Sequence, residues 1–124
     1  VTGVQTCALP ILQVLSSQNG EPWLVLGDMK ELGSDSHKIH AEVGDAARSL
    51  GVKRLFALGE ASAATVSAFG DEAVHFDNKE TLIRVLREQL RPGIACLVKG
   101  SRSMGMEQVV QAISNGSEYV EANN

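Results

Sequence analysis

The stretch Leu24-Val25-Leu26-Gly27-Asp28-Met29-Lys30-Glu31-Leu32-Gly33 runs from an unbroken apolar segment into a glycine and then two carboxylates three residues apart. Apolar character without alternation suits a strand covered on both faces, the environment of a parallel sheet flanked by helices. Ligands of such sheets bind outside the carboxyl ends of the strands. The pattern therefore puts Asp28 and Glu31 at the edge of a binding crevice, with the rest of the chain as its wall.

The remaining sequence alternates short apolar runs with helical stripes. After a strand over 23–27, residues 36–50 carry Ile39, Val43, Ala46, Ala47 and Leu50 on one stripe, stopped by Gly51. A second strand over 52–59 leads to an Ala- and Ser-rich helix over 60–69, only weakly signalled and closed by Gly70. Residues 73–76 read as a third strand. Asp77 with Glu80 resembles a capping box for a helix bearing Leu82, Ile83, Leu86 and Leu90, stopped by Pro92-Gly93. A fourth strand over 94–98 precedes a helix with Met106, Val109, Val110 and Ile113 on its stripe, ending before Gly116. Strands alternating with helices imply right-handed crossovers and a Rossmann-like α/β fold: a small, mostly parallel sheet flanked by helices, with four strands visible.

At the amino end, residues 1–10 show no period and finish at a helix-hostile proline, so they read as a non-native tail of adapter-like sequence. Residues 11–16 suit the end of a helix, closed by Gln18-Asn19-Gly20 and Pro22. The folded domain then spans 11–116, and 117–124 is a polar, flexible tail.

One domain is what 124 residues support. A formal net charge of -4 with no Lys or Arg cluster excludes a nucleic-acid footprint and an anionic membrane surface. No apolar run approaches the roughly 20 residues of a membrane span, so the expected setting is cytoplasmic and the expected state a monomer. Cys7 and Cys96 are too far apart in sequence and context to suggest a disulfide framework or a metal site, and Cys96 reads as a small core residue.

A second chemistry-bearing stretch is Leu97-Val98-Lys99-Gly100-Ser101-Arg102-Ser103-Met104-Gly105-Met106-Glu107. It gathers Lys99, Arg102 and two hydroxyls where a strand hands over to a helix, whose free N–H groups suit a carboxylate or phosphate. The plainer reading is that Ser101 or Ser103 caps the helix and Arg102 is a solvated charge. Asp28 is placed to accept from a ribose diol or, more simply, to cap the turn that follows it. His40 lies one position past Ile39, off the apolar stripe; with His37 and His75 it makes no metal set. Met104 and Met106 read as packing residues. Phosphate-loop, dinucleotide-fingerprint, nucleophile-elbow and helical metal-ligand patterns are all missing, so the residues alone describe a domain that binds rather than reacts.

Taken together and in order, three segments resemble the carboxy-terminal domain of the Mur ligase family, in the branch that joins D-alanyl-D-alanine to UDP-N-acetylmuramoyl-tripeptide during bacterial peptidoglycan synthesis. They are Gly27-Asp28-Met29-Lys30-Glu31-Leu32-Gly33, His40 with Val43-Gly44, and Val98-Lys99-Gly100-Ser101-Arg102-Ser103 with Met106-Glu107. Gly59 and His75-Phe76 fit the same pattern, and the likeness runs from about Leu12 to Asn115. The resemblance implies a three-domain enzyme of which this chain is the last part. ATP and Mg2+ would convert the tripeptide carboxylate to an acyl phosphate, which the dipeptide amine attacks. The phosphate loop and metal ligands would sit in the central domain, over which this domain closes, leaving the isolated chain inactive and without a bound cofactor. Carried over, Asp28 would contact the nucleotide ribose. Lys99, Ser101 and Arg102 would bind the dipeptide carboxylate or the phosphates, and Glu31 and His40 would shape the crevice. Residues 1–10 stand where the family has an Asp-Tyr-Asn-Ala-Asn-Pro-like, adenine-holding segment. The alternative is a stand-alone ligand-binding or receiver-like module using Asp28 and Lys99, although its second strand ends at Gly59-Glu60 instead of a phosphorylatable aspartate.

Overall fold

The apolar runs around Leu24, Leu55 and Leu97 become neighbouring strands of one parallel sheet. The computed structural model describes residues 20–29, 33–100, 102–113 and 118–123, with Arg102 and 118–123 described by backbone alone. In chain order the elements are β1 (Glu21–Gly27), α1 (Ser36–Ser49), β2 (Arg54–Leu58), α2 (Ser62–Phe69), β3 (Ala73–Phe76), α3 (Lys79–Gln89), β4 (Ile94–Gly100), α4 (Glu107–Ile113) and β5 (Glu118–Asn123). Short 3-10 turns occupy Gly33–Asp35 and Arg102–Met104.

The sheet order is β3-β2-β1-β4-β5. The chain steps outward from β1 to β3, then returns to the other side of β1 to lay down β4 and β5. Its direction reverses between β1 and β4, which makes their carboxyl ends the topological switch point where ligands of such folds bind.

Strand alternation distributes the apolar side chains to two helical layers. Leu24, Leu26, Leu55, Ala57 and Leu97 face α1 and α2, meeting Ile39, Val43, Ala47 and Phe69. Trp23, Val25, Phe56, Cys96 and Val98 face α3 and α4, meeting Leu82, Leu86, Val109 and Ile113. Trp23 and Phe56 rings pack at 5.3 Å on that second face. Cys96 is a core residue, and burial pushes its thiol up to about 12.

Several expectations change in detail. The cap of α3 is Asn78, whose side chain accepts from the Thr81 N–H at 2.8 Å, not the Asp77–Glu80 pair. Pro22 lies inside β1, near its start, where a missing N–H is tolerated and its carbonyl still accepts from Lys53 at 2.8 Å. β4 continues through Lys99 to Gly100. The segment expected to fray forms β5, parallel to β4 from Ala95↔Glu118 to Gly100↔Asn123. An edge strand gains main-chain pairing without needing an apolar pattern, so its polar sequence hid it. The expected helix end at 11–16, the tail at 1–10 and the stop at Gly116 lie outside the described residues.

α1 and α2 approach through Gly44, where a Cβ would come within 2.4 Å of the Thr65 carbonyl oxygen. Such a contact leaves no room for a methyl group. Gly44→Ala is expected to destabilise the chain by about 1–3 kcal/mol, read as a lower urea midpoint; an unchanged midpoint would mean that the helices do not meet this closely.

Candidate functional site

At the switch point the tips of β1 and β4 lie side by side, with Leu26 in register with Lys99. A Cβ on Gly100 would come within 3.2 Å of the Gly27 Cα, so the two glycines let the tips touch. Met106 fills the resulting notch from the α3–α4 face: Cβ atoms on Gly27 and Gly100 would approach its side chain to 2.7 and 2.8 Å. That face of the tips is closed by packing, as expected for Met106. Lys99, 4 % exposed, follows the parity of Leu97 and belongs to the α1–α2 face.

Asp28 leaves the end of β1 and turns toward β2. It is 6 % exposed, and its carboxylate accepts the N–H of Ala61 at 3.1 Å and of Ser62 at 2.8 Å. The reason lies in α2. Ala63 and Ala64 donate to the carbonyls of Glu60 and Ala61, while Ala61, the N-cap, has no side chain able to accept a bond. The first N–H groups of α2 therefore lack a local partner, and a carboxylate from β1, 33 and 34 residues earlier, satisfies them. Gly59 makes room: its φ is +111°, and a Cβ there would lie 2.5 Å from the Asp28 carboxylate. On the far side the His75 ring nitrogen Nε2 donates to the Gly59 carbonyl at 2.7 Å, steadying the turn.

Burial pushes the Asp28 carboxyl up, but the adjacent Ser62 hydroxyl and the two main-chain N–H groups outweigh it and hold the group below the ordinary 3.8. The N–H groups are the secure part of this balance, because the buried Ser62 Oγ makes no well-aligned hydrogen bond.

His40 is fully buried rather than lying off the packed surface. Its Nε2 accepts the Met29 N–H at 3.0 Å, and Nδ1 donates to the Ser36 carbonyl at 2.7 Å. The structure thus brings Asp28 and His40 together behind the β1 tip and puts Lys99 on the neighbouring strand. Glu31, Ser101 and the Arg102 side chain lie outside the described residues. The expected helix start beside Lys99 is displaced: a 3-10 turn over Arg102–Met104 intervenes and α4 begins at Glu107. Sequence reasoning missed the role of Ala61 and Ser62, since a helix capped from another strand carries no local cap signal. Among the described residues no group of three His, Cys, Asp or Glu side chains is placed to hold a metal ion, and no helix is long and apolar enough to cross a membrane.

With this geometry in hand, comparison with known proteins assigns the class. The family model described as "Mur ligase, glutamate ligase domain" matches residues 8–102. The UDP-N-acetylmuramoyl-tripeptide--D-alanyl-D-alanine ligase of Escherichia coli K12 is 42% identical over 109 residues, covering 86% of this chain and 24% of the relative. Its Bacillus subtilis 168 counterpart is 32% identical over 97 residues, covering 74% of this chain and 21% of the relative. A crystal structure of MurF from Acinetobacter baumannii superposes with a TM-score of 0.72 at 26% identity, covering 91% of this chain and 25% of that one. MurF from Thermotoga maritima in complex with ADP shares the fold at a TM-score of 0.71 and 22% identity, covering 83% of this chain and 24% of that one. The chain spans about a quarter of the length of these relatives.

The chain belongs to the Mur ligase family and carries its carboxy-terminal fold. Within that family it is the counterpart of the carboxy-terminal domain of MurF.

A folded-state pKa below the unfolded value means that ionised Asp28 contributes stability at neutral pH, and that this contribution is lost as pH falls through the lowered folded value. Asp28→Asn is therefore expected to cost about 1–2 kcal/mol at pH 7. The gap between variant and wild type should narrow as pH drops below 3.8, the ordinary value from which the group is lowered. A gap that persists undiminished in acid would remove the charge from the account.

Proposed function

We propose that this chain serves as the carboxy-terminal domain of an ATP-dependent ligase that adds D-alanyl-D-alanine to UDP-N-acetylmuramoyl-tripeptide in peptidoglycan synthesis. The observation that carries the reading is the 42% identity, across 86% of the chain, with the E. coli ligase of that name. The adjacency of the β1 and β4 tips supports it, since the matched segments meet at one end of the sheet.

In this reading the domain closes over a central ATPase domain. Closure excludes water from the acyl phosphate and brings the dipeptide amine to the activated carboxylate. The Asp28 oxygens each accept one main-chain bond and retain a lone pair for a ribose hydroxyl. Lys99, Ser101 and Arg102 supply the cationic and hydroxyl groups for the dipeptide carboxylate or the phosphates. ATP and Mg2+ belong to the complete enzyme.

A receiver-like module fits less well. Its phosphoacceptor would stand at the end of the second strand, and β2 is followed by Gly59-Glu60 instead of a phosphorylatable aspartate.

The purified chain is expected to show neither ATP hydrolysis nor ligation, and turnover by a pure sample would defeat the reading. In the complete ligase, Arg102→Ala should raise the KM for D-alanyl-D-alanine about 10-fold or more, as expected for a charge-assisted bond, with the KM for ATP within about twofold. Equal constants for both proteins would remove Arg102 from the dipeptide site.

A further inference from the structure

His40 is an ionisable side chain at 0 % exposure; its short ring bonds go to the main chain of Met29 and Ser36, and the Ser36 hydroxyl lies 3.5 Å from Nδ1. A main-chain N–H can only donate and a carbonyl can only accept. The bonds to Met29 and Ser36 therefore define a neutral imidazole with its proton on Nδ1. The two groups it joins flank residues 30–32, so a single ring ties both ends of the β1–α1 loop together. The main-chain carbonyl of His40 in turn accepts from Thr65 Oγ1 at 2.7 Å. Thr65 lies in α2, whose first N–H groups hold Asp28, the neighbour of Met29. The bonds form a circuit: Asp28 to α2, α2 through Thr65 to His40, and His40 back to Met29.

We propose that His40 is a positioning residue, which sets the direction of Asp28 by clamping Met29 to Ser36, and which touches no ligand itself. The clamp is independent of the ligase reading; its kinetic consequence rests on that reading.

His40→Phe keeps the ring's bulk and removes both bonds, whereas His40→Gln retains an amide able to accept and donate. In the 124-residue chain at pH 7, nitrogen–proton correlation spectra should show His40 protonated on Nδ1. The Met29 amide should exchange about 10-fold or more faster in His40→Phe than in wild type, with His40→Gln in between. In the complete ligase, His40→Phe should raise the KM for ATP about 5- to 10-fold with kcat within twofold, and His40→Gln should recover most of the loss. An Nε2-protonated ring in the wild-type chain overturns the proposal with no variant needed, and this arm decides the matter if His40→Phe does not fold. A Met29 amide released in His40→Phe together with an unchanged KM for ATP overturns the positioning role and leaves the ligase reading intact. A complete wild-type enzyme that does not ligate strikes the ligase reading, and the tautomer and exchange results still decide the clamp.

Discussion

The arrangement at the switch point depends on one interaction: the Asp28 carboxylate, delivered by β1, satisfies the N–H groups of Ala61 and Ser62 at the start of α2. Those donors have no local acceptor, because the N-cap is an alanine. A helix of eight residues with a weak apolar stripe has little intrinsic stability, and tertiary contacts decide whether it forms. An ionised carboxylate against its positive end provides hydrogen bonds and a favourable dipole interaction at once. Gly59 is needed for the same reason, since any side chain there would occupy the carboxylate's place.

From this bond the geometry of the candidate site follows in order. Topology brings the β1 and β4 tips together, and Gly27 and Gly100 let them touch while Met106 seals one face. The opposite face holds Lys99 of β4 and the α1–α2 pair, locked by Gly44, Thr65 and His40. Charged and hydrogen-bonding groups collect where the backbone is most constrained, which is how a loop-based site acquires precision from a rigid sheet. Asp28 thus has a structural duty whatever else it does, and any ligand contact uses a group already oriented by the fold.

Much of the fold was legible because its causes are local. Continuous apolar runs marked β1, β2 and β4, and a 3.6-residue stripe marked α1 and α3. β5 was not legible, because an edge strand is defined by the pairing β4 offers and not by its own pattern. The site was half legible. Asp28 and Lys99 stood out as charges at the ends of apolar runs; Asp28 does follow the last residue of β1, whereas Lys99 lies inside β4, which continues to Gly100. The partner of Asp28 was hidden, because nothing near Ala61 signals a cap that comes from 33 residues away. His40 was misjudged because it is polar: its spacing to Val43, Gly44 and Ala47 puts it on the buried face of α1, where the Met29 main chain meets its ring. A polar ring is tolerated in that place because both nitrogens find main-chain partners.

The central claim is that Asp28 is held as a carboxylate by the start of α2. Carbon-detected NMR titration of the Asp28 carboxyl in the folded chain tests it most directly. The account predicts a midpoint below the ordinary 3.8. A midpoint at or above that value would show that burial prevails over the N–H bonds, and would contradict it.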